Sequence, residues 1–371
     1  RFSVSWSRVE PQPGVLEGRG LDFYDRVVDG LLELGIAPML TLFHWDLPQW
    51  AQDSGGWRQR DTASRLGAYA AAVSERLGDR VALWATTNEM FEHLTLGHVL
   101  GEHAPGVQLP MDQAMGVAHH LMLGHGLAAQ AVRSTSRSPV LTVNSYAPAR
   151  PASDSEADRG VAAFYDLLQN RLFTEPLLLG RYPEELQSLV EPFRRDGDLE
   201  VISTPLDGLG VNYYSVNAVR AAEGDVPLVV EPPKGYPLTG FGWAVAPDGL
   251  TEVLLRLRED YGDALPPVYV TENGCAYPDR EPDGEAGGAL DDHERIAYLK
   301  AHVNALAQAV RSGVDVRGYY VWTLMDNVEW AEGVNQRFGL AHVDFTTQQR
   351  TPRASFGWYR NHIRQATERT R

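Results

Sequence analysis

Cysteine, lysine and long apolar runs are scarce in this sequence, and each scarcity narrows what the protein can be. The single cysteine, Cys275, excludes an internal disulfide and fits a reducing compartment such as the cytoplasm. No stretch approaches the roughly 20 continuous apolar residues that span a bilayer. Lysine occurs only at Lys234 and Lys300, which we attribute to coding bias because all other basic residues are arginines. We therefore expect neither a disulfide framework nor a membrane partner.

Basic residues are outnumbered by acidic ones. The 371 residues include 33 lysines and arginines against 49 aspartates and glutamates, which gives a formal net charge of −16. This sign argues against nucleic acid and anionic membrane surfaces as partners. Hydrophobic residues make up 43% and charged residues 22% of the chain, which is an ordinary balance for a globular protein with a sizeable core.

Short apolar runs alternate with segments of helical periodicity along the chain. The predicted strands are Phe2–Trp6, Ala37–Phe43, Val81–Thr86, Val140–Asn144, Leu206–Asn212, Val268–Thr271 and Gly318–Trp322. The predicted helices are Leu21–Leu34, Ala63–Leu77, Asp112–Arg133, Glu156–Arg171, Pro247–Tyr261, Asp291–Ser312 and Ala354–Thr367. This alternation is typical of βαβ units with a parallel sheet. Because one architecture routinely reaches this length without splitting, we predict an α/β fold, a (β/α)8 TIM barrel, with residues 1–371 as a single catalytic domain.

The predicted strands number seven, whereas a closed (β/α)8 barrel has eight. The sequence also opens inside a strand, because "RFSVSW" has no preceding turn or helix cap. Either one strand is not recognised from the pattern, or the chain lacks its first β-strand, so that the barrel is incomplete and N-terminally truncated. In that case Phe2–Trp6 would form the edge of an open sheet.

Two predicted strands end in a glutamate. "VYVTENG" delivers Glu272 after an apolar run, and "LWATTNE" delivers Glu89 in the same way. In a parallel barrel the catalytic groups lie at the carboxyl ends of strands. An isolated glutamate at such a position more often caps a helix or pairs with an arginine. Two of them, each beside Asn and Thr, favour the carboxyl pair of glycoside hydrolysis, with one acid and one ionised nucleophile or base.

Aromatic and amide side chains follow other predicted strands. His44 and Trp45 come after one strand, and Asn212, Tyr213 and Tyr214 after another. Trp322, Glu329 and Trp330 lie near the last. A single tryptophan at a strand end is more often part of the core. Sugars, however, are bound by aromatic faces together with planar hydrogen-bonding groups, so the repeated pattern indicates a carbohydrate site.

The chain resembles glycoside hydrolase family 1, the retaining β-glucosidases and their relatives. The matching segments cover essentially the whole chain in family order: "RFSVSWSRV", "GLDFYDRVVDGLLELGIAPMLTLFHWDLPQW", "TTNE", "GLGVNYY", "VYVTENG", "WTLMDNVEW" and "RFGLAHVDFTTQQRTPRASFGWY". The resemblance implies that Glu89 is the catalytic acid/base and Glu272 the catalytic nucleophile. It implies a retaining double displacement, with the two carboxyls about 5–5.5 Å apart.

The same resemblance assigns expected roles to further residues. Arg1 and Tyr214 would support the nucleophile, and Trp243 would form a platform on the leaving-group side. The expected substrate-binding residues are His44, Trp45, Asn88, Asn212, Tyr214, Trp243, Trp322, Glu329, Trp330 and Phe338. In this set Trp322 would be the floor beneath the sugar and Phe338 its wall.

The sequence departs from the family pattern at two places. Met90 replaces the usual proline after the acid/base, which removes a φ restraint and is expected to loosen the placement of Glu89. Family members begin with a further β-strand and helix before "RFSVSW", and this segment includes a sugar-binding glutamine. The resemblance therefore implies that the first β-strand and helix are missing from this chain, and we expect one wall of the pocket to be missing with them.

Single residues argue against other activities within the family and against a metal site. Thioglucosidases of the family carry Gln at the acid/base position, so Glu89 argues against them. Phospho-β-glycosidases carry a small residue in place of Glu329 and an added lysine, and "NVEWAEGVNQRFG" has neither. His119 and His120 are adjacent on one predicted helix with His125, so they do not share a face and a metal site is not expected.

We therefore predict a glycoside hydrolase of β-glucosidase type that acts on unphosphorylated β-O-glycosides or oligosaccharides without a cofactor or metal. The alternative is an inactive or weakly sugar-binding barrel fragment. Glucose, galactose and fucose specificities share these residues, so the sugar stays open. The leaving group and the oligomeric state stay open as well.

Overall fold

The computed structural model describes residues 1–224, 227–279 and 289–369. Within these ranges seven strands form the main sheet, and each lies where the sequence predicts one. We number them β1 to β7 in chain order: Phe2–Ser3, Met39–Phe43, Leu83–Asn88, Val140–Ser145, Gly208–Asn212, Val268–Asn273 and Val316–Val321. The order of the strands in the sheet, from β1 to β7, is the same as their order along the chain.

The strands β2 to β6 form because their short apolar runs are buried in a parallel sheet. All five residues of β2 and all six of β3 are buried, as expected when helices cover both sides. The pairs β1–β2, β2–β3, β3–β4 and β4–β5 are parallel. This arrangement brings the carboxyl ends of these strands, and the polar residues that follow them, to the same edge.

Helices occupy the segments between the strands. The long ones are Gly18–Glu33, Asp61–Leu77, Met111–Thr135, Glu156–Asp166, Pro247–Tyr261, His293–Arg311 and Ala354–Arg369. Shorter α-helical segments are Trp6–Val9, Gln49–Asp53, Met90–Leu94, Thr174–Leu179, Gln187–Val190 and Asp198–Ile202, with π-helical turns at Thr95–Val99 and Leu167–Arg171. The 3₁₀ turns are Gly56–Arg58, Glu184–Leu186, Glu191–Phe193, Gly262–Ala264 and Trp330–Glu332. The predicted helix Glu156–Arg171 is therefore a helix followed by a π turn.

The first strand is shorter than predicted. The sequence pattern favours Phe2–Trp6, but the strand ends at Ser3 and a helical turn begins at Trp6. The indole N–H of Trp6 donates to Glu10 Oε2 at 2.7 Å, four residues ahead, while its ring is fully buried. The helical turn gives the Trp6 side chain both burial and a hydrogen-bond partner. We attribute the early end of the strand to this.

The described chain divides into two compact units. The first comprises Arg1–Tyr146, Asp166–Asn212 and Asp260–Thr271, and it holds β1 to β5 with the beginning of β6. The second comprises Ala147–Tyr165, Tyr213–Glu259 and Glu272–Arg371. Within the described residues, no helix combines the length and apolar character that crossing a membrane requires.

The second unit has its own core and two small sheets. The core is built on Cys275, Tyr298, Leu299 and Leu340, with partly buried aromatic and aliphatic residues packed against them. One small sheet pairs Ala149–Pro151, Asn217–Ala221 and Leu228–Glu231, and the other pairs Ala341–Val343 with Arg350–Pro352. Neither small sheet is predicted from the sequence, because strands of three to five residues carry too little periodicity.

A buried ionic group stabilises the first unit. Asp198, which is 3% exposed, accepts hydrogen bonds from Arg60 Nη1 at 2.8 Å and from the backbone N–H of Arg195 at 2.7 Å. His119 Nε2 lies 2.8 Å from the same carboxylate, and its Nδ1 lies 2.7 Å from the Tyr182 hydroxyl. Burial raises the pKa of Asp198, but hydrogen bonds from Arg60 and His119 outweigh it and lower the pKa to about 2.

We predict that Asp198→Ala lowers the free energy of unfolding by roughly 3 kcal/mol, because it leaves a buried His and a partly buried Arg without their partner. The matched control is Asp61→Ala, which breaks the solvent-exposed pair with Arg65 and should cost less than about 1 kcal/mol. Urea unfolding followed by circular dichroism measures both changes. Equal losses in the two variants would contradict the structural role given to Asp198.

Candidate active site

Glu89 follows β3 in an unusual backbone conformation. Its φ is 45° and its ψ 64°, and the helix Met90–Leu94 begins immediately after it. A left-handed conformation at a residue with a side chain is strained and persists only where neighbours impose it. Here the Glu89 N–H donates to Val143 O on the adjacent strand at 2.8 Å. The chain therefore turns sharply at Glu89, and the side chain is only 7% exposed.

The Asn212 amide holds the Glu89 carboxylate. Its Nδ2 donates to Glu89 Oε1 at 2.9 Å and to Asn88 Oδ1 at 3.2 Å. Its Oδ1 accepts from the hydroxyl of Thr271 at 2.7 Å, which fixes which end of the amide faces Glu89. Three strand ends, those of β3, β5 and β6, thus contribute to one hydrogen-bonded group.

Asn88 forms hydrogen bonds with other predicted site residues of the first unit. Arg1 Nη2 donates to Asn88 Oδ1 at 2.5 Å, and Trp45 Nε1 donates to the Asn88 carbonyl at 2.8 Å. Asn88 Nδ2 lies 3.2 Å from His44 Nε2. Because an amide nitrogen can only donate, this ring nitrogen of His44 accepts and the imidazole is neutral in this arrangement.

Arg1 also reaches the strand that carries the second glutamate. Its Nη1 donates to the carbonyl of Thr271 at 3.2 Å, and its Nε donates to Thr41 Oγ1 at 3.2 Å. Thr271 is the residue before Glu272, so Arg1 contacts the backbone leading to the predicted nucleophile.

Met90 is 1% exposed and is the first residue of the helix after Glu89.

Glu272 lies in β6 and is 3% exposed. The hydroxyl of Tyr214 donates to its Oε2 at 2.6 Å, and the N–H of Tyr213 donates to its backbone carbonyl at 3.0 Å. A short hydrogen bond to an ionised oxygen is among the stronger ones in proteins. The contact between Tyr214 and Glu272 is the one that the family resemblance implies.

An aromatic cluster surrounds Tyr214 in the second unit. Its ring centroid lies 5.3 Å from that of Trp243 and 6.2 Å from that of Phe338, and the latter two are 5.9 Å apart. Phe241 stacks on Trp243 at 4.3 Å. The sequence did not lead us to predict Phe241 as a site residue, although its position two residues before Trp243 could have indicated it.

Gly274 explains the glycine of the "ENG" motif. A Cβ at this position would lie 1.9 Å from the carbonyl oxygen of Trp322, so only glycine permits this approach. The approach is tight because the Trp322 N–H donates to the Asn273 carbonyl at 3.0 Å. The position of Trp322, the predicted floor of the sugar site, is thus set against the strand that carries Glu272.

Asn273 is a second residue that the sequence prediction missed. Its Nδ2 donates to the Tyr213 carbonyl at 2.7 Å and to the Tyr298 hydroxyl at 3.1 Å. Its Oδ1 accepts from the Tyr319 hydroxyl at 2.6 Å. This amide, with both donors and its acceptor engaged, therefore fixes the end of β6 directly after Glu272.

Glu329 and Trp330 follow β7, and Trp330 begins the 3₁₀ turn Trp330–Glu332. Glu329 is half-buried, and Trp330 is 39% exposed with a φ of 43°. Burial is the main reason that the pKa of Glu329 is raised, to about 7, and the negative charge of Glu272 adds to the effect. A hydrogen bond from the Trp322 side chain opposes the shift.

His120 and His125 of the helix Met111–Thr135 each have one ring nitrogen bonded to a protein atom. His120 Nδ1 lies 2.9 Å from the Trp57 carbonyl, and His125 Nδ1 lies 2.6 Å from Thr86 Oγ1. In the part of the chain that the structure describes, one group could offer three ligand atoms to a metal: Asp279, Asp326 and His342. Arg353 donates to both of these carboxylates, so their charge is already compensated.

Comparison with known proteins identifies the class to which this fold and site belong. Residues 1–368 match the family model described as Glycosyl hydrolase family 1. A bifunctional β-D-glucosidase/β-D-fucosidase of Bifidobacterium breve is 43% identical over 98% of this chain and 83% of that protein. β-Glucosidase A of Thermotoga maritima is 37% identical over 98% of this chain and 82% of its own length.

Solved structures agree with these relatives. The psychrophilic β-glucosidase of Micrococcus antarcticus superposes with a TM-score of 0.91 at 40% identity, covering 96% of this chain and 81% of that one. The β-glucosidase of Thermotoga maritima in complex with deoxynojirimycin gives a TM-score of 0.91 at 36% identity, covering 98% and 82%. The chain belongs to glycosyl hydrolase family 1, which confirms the predicted family and the (β/α)8 TIM-barrel fold class. It is a glycoside hydrolase, and the alternative of an inactive sugar-binding fragment is not favoured.

We predict that Gly274→Ala lowers kcat/KM at least about tenfold, because the added methyl must displace the Trp322 carbonyl by well over 1 Å. Gly357→Ala is the matched control, since a Cβ there meets nothing within 4 Å and alanine is the better helix former. Steady-state hydrolysis of a nitrophenyl β-glucoside measures activity, and thermal unfolding shows whether both variants are folded. A Gly274→Ala variant with the kcat/KM of the parent protein would show that the contact with Trp322 is dispensable.

Proposed function

We propose that this protein hydrolyses unphosphorylated β-O-glycosides, β-glucosides among them, with Glu272 as nucleophile and Glu89 as acid/base. The observation that carries the proposal is the different hydrogen bonding of the two carboxyls. Glu272 accepts a 2.6 Å bond from the phenol of Tyr214, whereas Glu89 accepts from the neutral amide of Asn212. The names of the relatives, β-glucosidases and a β-fucosidase activity, support the substrate class.

The reaction would run in two displacements. In the first, an oxygen of Glu272 bonds to the anomeric carbon while the bond to the leaving group breaks and Glu89 gives its proton to the leaving oxygen. In the second, Glu89 takes a proton from water as the water attacks the same carbon and releases Glu272. Two inversions at one carbon give a product with the anomeric configuration of the substrate.

The remaining residues would divide between the sugar and the leaving group. His44, Trp45, Asn88, Glu329 and Trp330 would bind the hydroxyls of the first sugar, with Trp322 beneath the ring and Phe338 beside it. The carboxylate of Glu329 can accept from two adjacent hydroxyls. Trp243 would face the leaving group, and Arg1, Asn212 and Tyr214 would hold the two catalytic carboxyls.

We further propose that residues 1–371 act as one catalytic domain, because a single reaction requires Glu89 and Glu272 together. The buried thiol of Cys275 supports a reducing compartment, for which the cytoplasm is the proposal. Burial raises the pKa of this thiol to about 12, so it stays protonated and takes no part in the chemistry.

The two roles predict different rescue by azide. Glu272→Ala should lose turnover by several orders of magnitude, and azide should restore it by forming the glycosyl azide of inverted configuration. Glu89→Ala should keep more activity on substrates with good leaving groups, since these need little protonation, and azide should give the retained product. Proton NMR of the anomeric signals measures both outcomes.

The unmodified enzyme provides the control for stereochemistry. NMR of the first-formed sugar should show retention. Inverted product from the unmodified enzyme, or near-normal activity in Glu272→Ala, would overturn the assignment of Glu272 as nucleophile.

The raised pKa of Glu329 predicts a pH dependence of sugar binding. Since the ionised carboxylate is the better acceptor, the affinity for glucose should rise several-fold between pH 6 and 8, across the pKa of about 7. Glu329→Gln should bind glucose more weakly and lose most of this dependence. Isothermal titration calorimetry measures both.

The control variant for this experiment is Glu33→Gln, at the exposed end of the helix Gly18–Glu33. It should keep the pH dependence of the parent protein. If Glu329→Gln shows an unchanged pH dependence, another group governs glucose binding.

A further inference from the structure

A third carboxyl lies close in sequence to the proposed acid/base. Glu92 occupies the first turn of the helix Met90–Leu94, three residues after Glu89, and is half-buried. Its Oε1 accepts a hydrogen bond from Ser145 Oγ at 3.1 Å. The roles proposed above for the site residues make no use of Glu92.

Ser145 places this carboxyl at the level of the catalytic hydrogen bonds. It is the last residue of β4 and lies in register with Asn212 of β5, whose amide binds Glu89. Glu92 therefore stands at the carboxyl ends of the strands, where a parallel barrel binds its substrates.

Helix capping does not account for Glu92. A glutamate at the third helical position can accept from the N–H of the residue before the helix. Here that residue is Glu89, and its N–H already donates to Val143 O. The Glu92 side chain turns to Ser145 instead.

Ion pairing does not account for it either. Among the described residues no arginine, lysine or histidine forms an ion pair with Glu92, and its Oε2 accepts no hydrogen bond. Burial raises the pKa of Glu92 to about 7, against the opposing bond from Ser145. A half-buried carboxylate without a cation is costly unless something else supplies hydrogen-bond donors.

Glu92 lies on a different side of Glu89 from His44 and Trp45, which are proposed to bind the first sugar. β3, which delivers Glu89, lies between β2 and β4. His44 and Trp45, proposed to bind the first sugar, follow β2, whereas Glu92 is bonded to the end of β4. Since Glu89 gives its proton to the leaving oxygen, a carboxylate on the other side of Glu89 is placed for the leaving group.

We propose that Glu92 is a specificity-determining residue that favours leaving groups carrying hydrogen-bond donors, above all a positive charge, and disfavours anionic ones. The proposal rests on the proposed function, because it takes Glu89 as the acid/base. The attraction acts through the free Oε2 of Glu92, and the bond from Ser145 keeps the carboxylate in place. The chemical class of leaving group is thus a cationic or hydroxylated aglycone.

The test compares three β-glucosides that differ only in the para substituent of the phenol: aminomethyl, hydroxymethyl and carboxymethyl. At pH 8 the parent protein should have a higher kcat/KM for the aminomethyl than for the carboxymethyl compound. In Glu92→Gln, which keeps the acceptor for Ser145, that ratio should fall by about tenfold, the size expected for unit charges several ångströms apart in a partly screened site. The hydroxymethyl compound should change least.

Glu33→Gln removes the same charge at the exposed helix end that precedes β2, opposite the strand ends that carry the site, and should leave the ratio unchanged. Equal kcat/KM for the charged pair in the parent protein overturns the proposal without any variant. So does an unchanged ratio in a folded Glu92→Gln. If the parent hydrolyses none of the three glucosides, the proposed function itself fails, which is a distinguishable result.

Discussion

The bond from Asn212 Nδ2 to Glu89 Oε1 is the interaction on which the candidate site of the first unit depends. It is possible because β3, β4 and β5 are parallel and end together, so that residues 124 positions apart in sequence meet. The hydroxyl of Thr271 fixes the orientation of the amide, and the left-handed turn at Glu89 aims the carboxyl toward it. Removing any one of these constraints would let the carboxylate turn, and the proton transfer proposed for Glu89 would tolerate little misplacement.

The second unit applies the same principle with different groups. Glu272 accepts a hydrogen bond from the phenol of Tyr214, and the amide of the next residue, Asn273, anchors the end of the same strand. Gly274 then brings the Trp322 carbonyl against the same strand. Glu89 and Glu272 thus have unlike neighbours, which is the condition that the proposed roles of acid and nucleophile require.

Much of this could be predicted from the sequence, because strand periodicity and strand-end polarity are local signals. All seven strands of the main sheet and the residues Glu89 and Glu272 lie where the sequence indicated. The shorter β1, the small sheets of the second unit and the roles of Phe241 and Asn273 could not be predicted. They depend on partners that are distant in sequence, such as Tyr298 and Tyr319 for Asn273, and no local pattern encodes them.

Asn88 has both of its carbonyl oxygens engaged before any sugar arrives. Its backbone carbonyl is bound by Trp45, its Oδ1 by Arg1 and Asn212, and its Nδ2 by His44. The Nδ2 carries two N–H donors, and within the described residues only one of them is bonded, to His44, so the second can donate to a sugar hydroxyl without displacing a protein partner. A hydroxyl that donates to Oδ1 must instead compete with Arg1 and Asn212, and that exchange of hydrogen bonds brings little net free energy. Towards the sugar, Asn88 would therefore act as a donor.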